Sequence, residues 1–346
     1  MARSRWKISK KKGFGIAVLL AGTLLIVLLA VGVVAWLVFT PYGPSTVTLV
    51  NVRLGSTTES IGRQLQAAGI VRSAFAFDLM RFWKNGTLKA GEYRFEAPAT
   101  VPEIYGRIER GDVYTVSVTI PEGSNIFDIA ARLQEAGIGT RQDFLQTAVK
   151  QVKLISDLDP KAKSLEGYLF PDTYRFSPNV TDAEAAATMV GRFRQVAEEL
   201  ELKKHIHRIV TIASLVERET AVPSERPLVA SVFDNRLARH MPLMSDPSVI
   251  YGLELDGRWH GTIYKSDLTF NTPYNTYLHG GLPPGPICNP GIPSLRAAMH
   301  PAHTNYLYFV AASANPQGRS LFSTTLSQHD RNVAHYRKAV RQAGER

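Results

Sequence analysis

Gly55-Ser56-Thr57-Thr58-Glu59-Ser60-Ile61, running on to Leu65-Gln66-Ala67-Ala68-Gly69-Ile70, returns 68 residues later as Gly123-Ser124-Asn125-Ile126-Phe127-Asp128-Ile129 and Leu133-Gln134-Glu135-Ala136-Gly137-Ile138. Eight of the sixteen aligned positions are identical, which marks one structural unit used twice. Each copy opens with an alternating stretch, Val47–Val52 or Val116–Ile120, whose period of two fits a half-buried strand. A glycine turn follows, then a serine placed to cap a helix, with Ser56 and Glu59 spaced as a capping box. Ile61, Leu65 and Ala68, and then Ile129, Leu133 and Ala136, recur at helical spacing. Gly69 and Gly137 sit where helix C-terminal glycines belong. Thr140 with Asp143 opens a second short helix in the later copy.

This strand–helix–helix order resembles a LysM-type glycan-binding module, a small βααβ unit. Two packing subdomains with no binding role fit the same residues equally well. The first copy is expected over residues 45–115 and the LysM-like copy over 116–158. From about Pro160 to the end at 346 the texture changes. A turn-rich segment, Leu165–Tyr174, precedes helices expected near Asp182–Glu201 and Lys204–Thr220. Ser224 is placed to cap a third helix, with Val229, Val232, Phe233 and Leu237 on one face. After a Pro/Gly-rich stretch from Thr272 to Pro293, two strands (Leu307–Val310, Ser320–Ser323) and a final helix (Gln328–Ala343) are expected. The expected class is α+β and helix-rich.

The net charge of +10 is concentrated at one end. Arg3, Arg5, Lys7, Lys10, Lys11 and Lys12 make a basic tail over residues 1–12, and residues 1–40 hold no acid. Removing those six from the 40 basic residues leaves 34 against 30 acidic ones, so no nucleic-acid partner is expected. Gly13–Phe39 is an uncharged apolar run, longer than the roughly 20 residues a helix needs to cross a bilayer core. Basic charge before the run, and none after it until Arg53, puts the N-terminus in the cytoplasm and the rest outside. A cleaved signal is the alternative, with Ala30-Val31-Gly32 as a small-residue site. The run is too long for a signal core of about 7–15 residues, so a retained anchor is expected. Pro41, Gly43 and Pro44 end it.

Chemistry concentrates in Ile206–Thr220. Ile206, Val210 and Ala213 share one helix face, and Glu217 continues that spacing at the flank of the face. His207, Thr211, Ser214 and Arg218 form the opposing polar stripe. A carboxyl half-withdrawn from water resists ionisation, which is what a general acid near neutral pH requires. The alternative is that Glu217 is held in an interior ion pair with an arginine. Glu219, at the other border of the face, is the weaker candidate. No metal site is expected: His205 and His207 splay apart, His300 and His303 flank Pro301, and the single Cys288 excludes cysteine clusters. No cofactor motif is present.

Ala213-Ser214-Leu215-Val216-Glu217-Arg218-Glu219-Thr220 resembles the active-site helix of the MltG/YceG-like endolytic murein transglycosylases. Leu165–Tyr174, Ser245–Gly252 and Tyr274–Gly291 resemble three further blocks of that family, in the same order. The resemblance implies a catalytic domain over 160–346 and a lyase that cuts the MurNAc–GlcNAc bond inside nascent glycan strands, leaving 1,6-anhydro ends. Glu217 aligns with the family's catalytic glutamate. Tyr274, Asn275, Thr276 and Tyr277 are the candidate substrate-binding residues, because tyrosine faces stack on sugars and asparagine bonds acetamides. The resemblance also implies a single-pass inner-membrane protein with a periplasmic catalytic domain, working beside peptidoglycan synthases. A hydrolysing muramidase is an alternative and needs a second carboxylate, with Asp246 or Glu225 as candidates. A non-enzymatic peptidoglycan-binding anchor is another. Glu166 and Asp172 read as structural.

Overall fold

The computed structural model describes residues 10–84, 86–313, 315 and 318–344. Arg3, Arg5 and Lys7 of the basic tail lie outside the described residues. The chain is α+β and divides into two compact units, Met1–Thr115 and Val116–Arg346.

In the first unit, α1 (Lys10–Phe39) is followed by β1 (Thr48–Val52), α2 (Thr58–Ala67), α3 (Ala74–Leu79), β2 (Gly91–Phe95) and α4 (Val101–Arg110). Within α1, Ala17–Phe39 is long and apolar enough to cross a membrane. β1 and β2 pair antiparallel from Thr48 opposite Phe95 to Val52 opposite Gly91. The order is therefore β-α-α-β. Val50, Ile61, Leu65, Phe77, Tyr93 and Phe95 close a core under that sheet. Val38, near the end of α1, belongs to the same core.

The second unit repeats the plan. β3 (Val116–Thr119), α5 (Ile126–Glu135), α6 (Arg141–Lys150) and β4 (Thr173–Phe176) follow in turn. β3 and β4 pair antiparallel, Val116 opposite Phe176 and Thr119 opposite Thr173. The closing strand thus comes from the turn-rich segment beyond residue 158. The repeat's two glycines adopt matching left-handed turns, with φ of +81° at Gly55 and +79° at Gly123, a conformation that suits glycine. The caps lie one residue beyond the expected serines. Thr57 accepts from Ser60 N in α2, and Asn125 accepts from Phe127 N and Asp128 N in α5. An oxygen one position closer reaches the free amides of the first turn with extended backbone at the cap. Gly69 and Gly137 do follow their helices with positive φ.

The remaining elements are α7 (Asp182–Glu199), α8 (Ile206–Glu219), α9 (Arg226–Ala238), α10 (Asp246–Leu255), α11 (Ile292–Met299), the antiparallel pair β5 (Tyr308–Ala311) and β6 (Ser320–Ser323), and α12 (Leu326–Gly344). α7 begins with a full capping box, Thr181 with Glu184. α9 is not capped by Ser224: a single 3-10 turn, Pro223–Glu225, runs straight into it and the preceding residue is Glu225. α8 is the central element and packs against α9, α10 and α11. Val210, Ala213, Leu215 and Val216 are fully enclosed. Val210, Leu215 and Val216 each contribute roughly 1.5–3 kcal/mol by leaving water, and the Ala213 methyl about 0.8 kcal/mol or less.

Candidate active site

α8 is gripped on more sides than its apolar spacing indicates. Thr211 and Ser214, expected on a polar stripe, are buried, and their hydroxyls donate back to the His207 and Thr211 carbonyls, both at 2.7 Å. Ser214 Oγ also accepts from Ile287 N at 3.1 Å. That bond ties the Pro/Gly-rich segment onto the helix, because small hydroxyl side chains leave room for backbone to approach.

Glu217 stands in the last turn of α8. Its side chain is 5% exposed. It lies on the wall of a groove of about 520 Å³ shared with Glu122, Gly123, Glu219 and Arg226. Three groups face the carboxylate. Arg226 Nη2 donates to Oε1 at 3.0 Å. Gly291 N–H donates to Oε2 at 2.9 Å. Gly291 is the cap residue of α11, so α11 starts with its free amides toward this acid. The third group is Glu122, whose Oε2 lies 3.8 Å from the same Nη2 of Arg226. The turn from α8 through Pro223 into α9 is what brings Arg226, nine residues on, back against Glu217. An arginine pair is present, as the alternative reading of Glu217 required, and it borders an open groove.

Glu122 enters from the turn after β3. Gly123 N donates to Asn289 O at 3.0 Å, and Arg218 Nη1 donates to Gly123 O at 3.3 Å, so the turn is pinned over α8. A Cβ on Gly291 would fall 1.9 Å from Glu122 Oε1, so only a glycine there leaves the acid its place. Glu122 is 46% exposed at its side chain. Burial of the rest, then the Glu217 charge, pushes its carboxyl above the usual range, and Arg226 opposes this. Arg226 Nε is enclosed with no acceptor among the described residues.

Glu219 faces the other way along α8. Ser245 Oγ donates to it at 2.6 Å, and burial pushes its carboxyl up to about 7. It also lines a second cavity of about 380 Å³ with Arg236, Asp246, Tyr277, Tyr308 and His329. Tyr277 OH donates to Asp246 at 2.6 Å there. Tyr274 sits elsewhere, edge-on to Tyr251 at 4.9 Å, and burial pushes its phenol up to about 12.

Asn275 and Thr276 are enclosed, and their polar atoms are used inside the protein. Asn275 Nδ2 donates to Leu268 O and Phe270 O, at 3.0 and 2.8 Å, and its Oδ1 accepts from Tyr277 N at 3.0 Å. Thr276 Oγ1 accepts from Ser245 N at 2.9 Å. These two side chains hold the loop in shape and have no free edge for an acetamide. Of the expected second carboxylates, Asp246 bonds Tyr277, and Glu225 is buried, accepting from Ser320 N at 2.7 Å. The acid that does lie beside Glu217 is Glu122. Its signal was in the repeat: the first copy reads Arg53-Leu54-Gly55 where the second reads Pro121-Glu122-Gly123.

Glu166 is scaffold. It is enclosed, accepts from Ile126 N and Asn289 Nδ2, both at 3.0 Å, and burial pushes its carboxyl up to about 8. Asp172 accepts from Arg192 Nε at 3.0 Å near the surface.

Residues 50–335 match the model of the YceG-like family. A Bacillus subtilis protein named endolytic murein transglycosylase is 32% identical over 312 residues, covering 84% of this chain and 85% of that protein. A Streptococcus pneumoniae protein of the same name is 31% identical over 323 residues, where the match spans 83% of this chain and 58% of the longer relative. The crystal structure of a YceG-like protein from Listeria monocytogenes superposes with a TM-score of 0.54 at 31% identity, covering 83% of this chain and 99% of that one. With the family model spanning most of its length and relatives aligned across both of its units, the chain belongs to the YceG-like family.

Proposed function

We propose that the chain is a membrane-anchored peptidoglycan lytic transglycosylase that cuts the MurNAc–GlcNAc bond within a glycan strand, with Glu217 as its acid and base. The observation that carries this reading is a nearly enclosed glutamate on the wall of an open groove, in a chain whose relatives are named for that reaction. Protonated Glu217 gives its proton to the glycosidic oxygen, and the C1–O bond breaks with an oxocarbenium-like centre at C1 of the muramic residue. The carboxylate then removes the proton of the muramic C6 hydroxyl, and O6 closes on C1. The products are a 1,6-anhydro end and a GlcNAc with a free 4-hydroxyl. Glu217 ends protonated, as it began, and no water is consumed.

The surroundings suit both halves. Donating the proton requires Oε1 to be free of Arg226. The Nη2 that holds it lies 3.8 Å from Glu122, a second acceptor already in place. In the second half the carboxylate regains Arg226 and keeps the Gly291 N–H, two donors fixed before reaction. Tyr277 and Tyr274 offer rings to sugars, while Asn275 and Thr276 act by holding the loop that carries them. The two βααβ units are proposed as LysM-like glycan-binding elements. α1 is proposed as a single span with its N-terminus in the cytoplasm and both units on the periplasmic side of an inner membrane, beside the synthases that supply strands.

Glu122 favours one second reading, hydrolysis. A single guanidinium nitrogen at 3.0 and 3.8 Å from the two acids bounds their oxygens to within about 7 Å, a separation glycosidases use. Mass spectrometry of glycan strands digested by the protein separates the two. Anhydro ends, one water lighter, support the lyase; reducing ends overturn it in favour of the hydrolase.

A further inference from the structure

The short helix α3 and the 3-10 turn Met80–Phe82 that follows it carry large apolar side chains on both sides, with Asp78 and Arg81 paired between them. Ala76, Phe77 and Met80 point into the core of the first unit. Phe75, Phe82 and Trp83 are left 64%, 68% and 63% exposed. Their spacing of seven and eight residues puts them on one side. A helical segment with large apolar side chains on its outer as well as its inner side belongs where both sides are covered, and three exposed aromatic residues within nine positions are not incidental surface.

The neighbouring element tells what covers them. α1 packs against α3 and α4, with Val38 in the core and Val34 and Leu37 against it. Phe39, the last residue of α1, stacks on Trp83 with ring centroids 6.2 Å apart. Arg72 lies over the rings of Trp36 and Tyr42 at 4.5 and 4.7 Å and donates to Thr40 Oγ1 at 2.6 Å. The exposed rings therefore sit at the level where a bilayer-crossing helix ends, alongside Trp36, Phe39 and Tyr42. Aromatic residues with flanking cations at that level are the composition of a membrane–water interface. The cations are Arg81, whose guanidinium lies 4.9 Å from the Phe82 ring and 3.6 Å from Asp78, and Lys84, 3.5 Å from Glu109; both remain partly exposed.

We propose that this face of the first unit is seated in the bilayer leaflet from which α1 emerges, with Phe75, Phe82 and Trp83 below the headgroups and Arg81 and Lys84 against lipid phosphates. The occupant is lipid because the face is continuous with a membrane-spanning helix and fixed to its end. Amphipathic surface segments bury their apolar side by this means, with basic residues favouring anionic lipid. The first βααβ unit is thereby held flush with the membrane. The proposal rests on α1 as a span and does not depend on the role of Glu217.

The test uses the full chain in lipid nanodiscs with Trp83 as its single tryptophan, Trp6, Trp36 and Trp259 being replaced by phenylalanine. A second variant keeps Trp259 alone as a reference. Acyl-brominated lipid is expected to quench Trp83 about twofold or more and to leave Trp259 unchanged, while aqueous iodide does the reverse. Greater protection of Trp83 from iodide in discs containing phosphatidylglycerol than in phosphatidylcholine discs is expected if Arg81 and Lys84 contact phosphates. Iodide quenching of Trp83 equal to that of Trp259, with no effect of brominated lipid, overturns the proposal. So does shielding of Trp83 that appears only when two copies share a disc, because the face would then be a protein interface.

Discussion

Replacing Arg226 with methionine keeps most of the side-chain volume and removes the cation that faces both Glu217 and Glu122. The Glu217 side chain is 5% exposed and that of Arg226 10%, so water compensates little. Removing one partner of a buried pair costs about 3–5 kcal/mol; since Glu217 keeps its bond from Gly291 N–H, the lower end, about 3 kcal/mol, is expected. The pH dependence has a definite sign. Without the arginine, nothing opposes the burial and the Glu217 charge that already raise the Glu122 carboxyl, so the folded variant holds a proton there more tightly than its unfolded chain does. The stability this proton uptake preserves is present below about pH 4 and is lost as pH rises toward neutrality. At about 2–4 °C per kcal/mol for a unit of this size, thermal unfolding at pH 8 falls by about 6–12 °C, and at pH 4 by a small fraction of that. Circular dichroism melts of wild type and variant at both pH values read the difference, with Arg226→Lys as a milder companion. An equal loss at the two pH values, or none at pH 8, refutes the coupling of these three side chains.

Glu122→Gln leaves Arg226 with Glu217 as its remaining carboxylate partner at the groove, so kcat is expected to fall about tenfold with KM nearly unchanged; steady-state kinetics on defined glycan strands check this. Asn275→Ala strips three backbone groups of their partner and is expected to cost about 2–4 kcal/mol in denaturant unfolding. Glu166 and Glu219 both bind a proton more tightly when folded, up to about 8 and about 7. The stability they lend is therefore full below about pH 4.5 and lost as pH rises through those values, so melting temperature declines from pH 5 to 8.5 and Glu166→Gln flattens the decline.

What was legible in the sequence was local. Thr140 with Asp143, the paired glycines at 55 and 123, and the apolar spacing of α8 each act within one turn of helix or one tight turn, so their residues declare the element directly. The flank position of Glu217 was legible for the same reason. The groups that face it were not, because Glu122, Arg226 and Gly291 reach it from three separate segments and only the packed fold makes them neighbours. Glu122 left one trace, as the acid replacing Leu54 between two copies of a repeat. The inward bonds of Asn275 were hidden by its residue type: an amide that suits sugars also suits loop carbonyls, and here the loop folds back onto it. The expected serine caps failed by one residue, since composition identifies a cap's neighbourhood while backbone extension selects the residue.

The central claim is that the Glu217 carboxyl performs both proton transfers. The measurement that tests it most directly is the yield of anhydro-ended fragments from glycan strands incubated with wild type and with Glu217→Gln, both first shown by circular dichroism to be folded. The account predicts that the amide, which keeps an oxygen for Gly291 but has no proton to give, loses at least about a thousandfold in rate. A folded Glu217→Gln protein that still releases anhydro ends at a comparable rate contradicts it.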